Sequence, residues 1–99
     1  MRVLKSILND SLAYYQRLDR DLRRRLVHLP QGSVKRRRLK GHAYYYLQQR
    51  VGGKVVHRYL GKQKPAGLAR QLHERRVLRR ELVKVREALR LLPLKKLKP

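Results

Sequence analysis

Between Gly32 and Lys64 lie ten Lys or Arg, four Tyr, two His and three Gln, and none of the chain's six Asp or Glu. Cationic side chains neutralise phosphates and release their counterions, tyrosine rings offer bases a stacking surface, and amides can bond base edges. The whole chain has the same sign: 28 Lys or Arg against six acids leave a formal charge of +22. Like charges held together in a fold repel one another, and a polyanion is the natural source of compensation. The composition therefore points to nucleic acid. A plainer reading, in which strand tyrosines are ordinary β-formers and basic runs are solvated, suits one strand better than three strands without an acid.

Catalytic chemistry finds little material. Cys and Thr are absent, and Ser6, Ser11 and Ser33 have no His or acid at a spacing that would activate a hydroxyl. Asp19 and Asp21, two apart on an expected helix, point in different directions and make a poor metal pair. His42 and His57 have no accompanying carboxylate to complete a ligand set. His73-Glu-Arg-Arg76 matches the His-x-x-Arg pattern of tyrosine recombinases, but no Tyr follows Tyr59 to act as nucleophile. Gly61-Lys62 lacks the preceding glycine of a phosphate-binding loop. The chain is expected to be no enzyme, with no catalytic residue, no metal and no cofactor.

Periodicity supplies the elements that must position the basic and aromatic groups. Leu4, Ile7, Leu8, Leu12, Tyr15, Leu18, Leu22 and Leu26 form one stripe of a helix over residues 3–28, which Pro30 and Gly32 end. A second helix is expected over 65–92, with a seam of Leu68, Leu72, Leu78, Leu82, Val85, Leu89 and Leu92. From Leu78 its steps alternate four and three, the spacing of a coiled coil. Between the helices the period becomes two, and Lys40-Gly41 and Gly52-Gly53 mark hairpin turns. A three-stranded antiparallel sheet over 33–61 follows.

Two-residue turns would set Leu39 against His42 and Val51 against Lys54. One sheet face then collects Val34, Ala43, Tyr45, Leu47, Val56 and Leu60, the apolar groups that pack on the helices, with arginines at its rim. The other interleaves bases, rings and amides and is the expected binding face. The candidate nucleic-acid-binding residues are Lys35, Arg37, His42, Tyr44, Tyr46, Gln48, Arg50, Lys54, His57, Tyr59 and Lys62. Arg76, Arg79 and Arg80, on the arginine-rich outer surface of the second helix, extend the set.

The fold class expected is α+β: two long helices forming an antiparallel hairpin, with a three-stranded antiparallel β-meander inserted between them. Ninety-nine residues suit a single domain, 1–99, with residues 93–99 as a flexible basic tail. No stretch has the length of a membrane span or the apolar run of a signal peptide, so a cytoplasmic protein, nucleoid- or ribonucleoprotein-associated, is expected. Its partner is nucleic acid, DNA favoured over RNA, because a β-ribbon can enter the B-form major groove whereas A-form RNA closes that groove. A homodimer or a larger nucleoprotein complex suits such a chain, and no membrane partner is expected. The alternatives are an RNA-binding or ribonucleoprotein role, and an accessory subunit that docks through its leucine seam.

Gly32-Ser33, Gly41 to Gln48, Gly52-Gly53-Lys54 and Tyr59-Leu60-Gly61-Lys62, with a Leu- and Arg-rich helix following, resemble a group of small, functionally uncharacterised prokaryotic proteins of this length. That likeness covers most of the chain and implies no activity. The Gly-Ser start, Gly-Gly-Lys turn and following helix also look like the three-stranded arm-binding domain of phage-type integrases, whose sheet lies in the DNA major groove. By that resemblance Arg37, Tyr44, Tyr46 and Arg50 would face the groove. The long N-terminal helix and the lack of a catalytic domain depart from the integrase pattern.

Overall fold

A computed structural model describes residues 2–92, with Arg2 described by its backbone alone. The basic tail expected over 93–99 lies outside the described residues. The elements run α1 (Arg2–Val27), β1 (Ser33–Leu39), β2 (His42–Val51), β3 (Lys54–Gly61) and α2 (Ala66–Leu91). The protein is thus α+β, a β-meander inserted between two helices. Its packing forms two compact units, one from α1 and the part of α2 that starts at Val77, the other from Leu29–Arg76.

In the helical unit the leucine periodicities meet. Leu22 of α1 and Leu78, Leu82 and Val85 of α2 are buried. Arg86 of α2 donates from Nε to Asp19 Oδ1 of α1 at 3.3 Å, and Asp19 also holds an ion pair with Arg23 one turn along its own helix, at 3.0 Å. The stripe of α1 is not covered along its whole length: Leu4 and Ile7 are each more than half exposed, and burial begins at Leu8. The stripe expected from Leu4 to Leu26 is thus covered only from Leu8 onward. A regular apolar period marks one side of a helix without fixing how far a neighbour extends along it.

In the sheet unit the strands lie in the order β1-β2-β3, all antiparallel. Lys40 (φ 51°) and Gly41 (φ 79°) make one turn and Gly52 (57°) and Gly53 (79°) the other. Positive φ at both central residues is the signature of the type I′ hairpin, whose twist matches that of the strands. Leu39 pairs with His42 and Val51 with Lys54, so both turns have the register the sequence implied. Pairing then slips between Tyr45 and Tyr46: Tyr46 opposes Tyr59 but Tyr45 opposes Gly61, leaving Leu60 as the extra residue of a bulge.

The sheet's core is small. Leu47 of β2 and Leu72 of α2 are its most buried side chains, each 2% exposed. Val34 and Tyr45 line a hollow together with Ala69 and Leu72, so the apolar sheet face is the one that the first turns of α2 cover. Val56, assigned to that face by alternation, is 45% exposed, because β3 is an edge strand exposed from Lys54 through Tyr59. The entry to β1 is fixed by two contacts with β2. Gln49 Nε2 donates to the Gln31 carbonyl at 2.9 Å. Gly32, at φ 122°, passes so close that a Cβ there would stand 2.6 Å from the Gln48 carbonyl oxygen.

Candidate functional site

Alternation along β1 and β2 sends Arg37, Tyr44 and Tyr46 to the sheet face away from Leu72, and the pairing of Arg37 with Tyr44 and of Tyr46 with Tyr59 joins them across strands. The ring centroids of Tyr46 and Tyr59 are 5.4 Å apart with planes at 57°, and those of Tyr44 and Tyr59 are 6.4 Å apart at 46°. Three rings therefore form one tilted cluster. The Arg37 guanidinium carbon lies 5.4 Å from the Tyr46 centroid and Lys62 Nζ 6.0 Å from that of Tyr44, within reach of cation–π attraction. Leu39, Lys40, His42 and the three tyrosines line an open hollow on this face.

The bulge is what brings Lys62 here. With unbroken pairing Tyr44 would oppose Gly61 and Lys62 would point to the helix-covered face. Once Leu60 is taken up as the extra residue, Gly61 moves against Tyr45 and the next residue falls beside Tyr44. A period-two reading of β3 had no means of showing this.

Not every candidate residue joins the cluster. Lys35 opposes Tyr46, Gln48 opposes His57 and Arg50 opposes Val55, so these side chains extend the same face along the sheet. Lys54 pairs with Val51 at the hairpin end, and alternation assigns it to the other face. Arg76 lines the hollow on the α2 side with Arg36 and Tyr45, away from the tyrosine cluster. Arg79 and Arg80 belong to the helical unit. Leu39 and Lys40 also line the tyrosine hollow; alternation along β1 places Leu39 on this face, and Lys40 follows it in the turn.

None of the described side chains forms a group of three or more His, Cys, Asp or Glu suited to a metal ion, and no helix among them is long and apolar enough to cross a membrane. Residues 4–70 match the family described as a domain of unknown function (DUF6788). The chain belongs to that family. The match takes in most of α1, the whole sheet and the start of α2, and so includes every member of the tyrosine cluster. No curated protein and no solved structure matches the chain.

Proposed function

We propose that the protein binds nucleic acid without catalysing a reaction, and that the face built on Arg37, Tyr44, Tyr46, Tyr59 and Lys62 is its interface. The observation that carries this reading is the joining of cations and rings into one cluster, with Arg37 and Tyr59 exposed and Tyr44 and Tyr46 half-buried, in a stretch that contains no carboxylate. Cations alone would serve any polyanion. Rings placed between them add a stacking surface that bases can use and a bare polyphosphate cannot. Duplex DNA is the favoured ligand, with the narrow, bulged sheet entering the major groove.

A single strand, RNA in particular, is the second reading, and the open hollow beside Tyr44, Tyr46 and Tyr59 favours it, since an unpaired base fits such a site. Docking of a protein through the leucine seam gains nothing from the geometry, as Leu78, Leu82 and Val85 are buried. The test is to replace Tyr44 and Tyr46 together by Ala and measure binding to duplex DNA, single-stranded DNA and single-stranded RNA. The expected loss is about 1–3 kcal/mol per ring contact with the fold intact. A loss confined to duplex supports groove insertion, and one confined to single strands supports stacking. Parental binding of all three would overturn the assignment of this face.

A further inference from the structure

The run Lys35-Arg36-Arg37-Arg38 on the edge strand β1 divides its charge between the two sheet faces. Arg37 reaches Tyr46 on one side. On the other, Arg36 joins Lys64 and Arg76 around a hollow whose remaining lining is Ser33, Val34, Tyr45, Ala69 and Leu72. The three cations come from β1, from the segment before α2 and from α2 itself, so their meeting is a product of the fold and is not visible in any one stretch of sequence. No carboxylate lines this hollow among the described residues. Three cations around one cleft repel one another, and an anion between them removes the repulsion and gains charge-assisted hydrogen bonds. Tyr45 adds a phenol side chain, and Val34, Ala69 and the buried Leu72 make part of the lining apolar. A small inorganic anion would use the charge and leave the apolar part uncovered. A nucleotide, with its phosphate on the cations and its sugar or base on the apolar part, uses both.

We propose that this hollow is a second binding site, separate from the tyrosine face, and that it takes the phosphate of a nucleotide. Two sources carry the same chemistry: a free mononucleotide, or one residue of a strand that leaves the tyrosine face and turns over the β1 edge. The second source rests on the nucleic-acid reading given above; the first does not.

Titration of the full chain with adenosine monophosphate, followed by amide NMR, tests the site directly. Saturable shifts are expected at Ser33, Val34, Tyr45 and Ala69. Replacing Arg36 and Arg76 together by Gln should weaken this binding by roughly tenfold or more. The Arg17→Gln, Arg20→Gln pair removes equal charge from α1 and should leave the shifts at Ser33, Val34, Tyr45 and Ala69 near their parental size. A single-stranded oligonucleotide of roughly 12 residues separates the sources. If the occupant belongs to a bound strand, both the arginine pair and the tyrosine pair weaken oligonucleotide binding. If it is a free nucleotide, the arginine pair alters binding of the mononucleotide alone. Oligonucleotide binding that the tyrosine pair leaves unchanged, together with saturable mononucleotide binding that the arginine pair weakens, would leave this site standing while the first reading fell. Should the arginine pair behave like its charge-matched control toward both probes, the second site does not exist.

Discussion

A methyl group at Gly32 would stand 2.6 Å from the Gln48 carbonyl oxygen and 2.9 Å from Gln49 Cγ, at a φ of 122° that side chains rarely adopt. Neither obstacle can relax cheaply, because the first is backbone of the central strand and the second belongs to the side chain that holds the Gln31 carbonyl. Gly32→Ala should therefore cost at least about 1–3 kcal/mol, the usual range for a residue forced into a sparsely populated backbone region. Gly67 is the contrasting case: it lies in α2, has no positive φ and has open space where a Cβ would go, so Gly67→Ala should be neutral or stabilise by up to about 1 kcal/mol. Urea unfolding midpoints of the two variants measure both effects, and similar midpoints would show that the approach of Gly32 to β2 is slack. The sequence marks Gly32 only as a stop, with Pro30, to the first helix. Its contacts with Leu47, Gln48 and Gln49 are non-local, and one residue read with its neighbours carries no trace of them.

Each hairpin was legible because its turn chemistry is local. Lys40-Gly41 and Gly52-Gly53 must adopt positive φ, and this fixes the two pairings nearest the turns. The bulge at Leu60 was not legible, since it depends on how β3 leaves the sheet toward α2, and it decides that Lys62 meets Tyr44. The direction of Arg76 was hidden for a related reason: the phase of α2 against the sheet is set by burial of Leu72 and not by the arginine spacing. Helix periodicity gave the correct buried residues at Leu22, Leu78, Leu82 and Val85 but overextended the α1 stripe to Leu4 and Ile7. These differences set an order for truncation. Leu82→Ala should cost about 2–4 kcal/mol, Leu89→Ala less because that side chain is only half-buried, and Leu4→Ala within about 0.5 kcal/mol of nothing. Thermal melting of the three variants reads the order. A Leu4→Ala loss equal to that of Leu82→Ala would mean that the start of α1 is covered in solution by something beyond the described residues.

At the scale of the molecule, the placement of acids separates two uses of charge. Asp19 holds Arg23 and Arg86, Asp21 meets Arg24, and Glu87 meets Arg90, all on helices. The ten bases from Gly32 to Lys64 share their stretch with no acid and outnumber the six acids of the whole chain, so solvent ions or a bound partner must supply part of their compensation. Salt should then act with opposite signs on the free protein and on its complex. In the free protein, rising salt screens the repulsion of a +22 chain and should raise the melting temperature. In the complex, the same salt competes for the phosphates: with some six to ten contacts, affinity should fall by about three to five decades between about 50 and 200 mM. The stabilisation that a bound oligonucleotide confers on the fold should shrink with it, because binding to the folded state alone raises stability only as far as the ligand concentration exceeds the dissociation constant. Melting curves with and without oligonucleotide, recorded across that salt range, should therefore converge from opposite directions. Parallel curves would mean that the ligand neutralises few of these charges, and the charge excess would then need a partner other than nucleic acid.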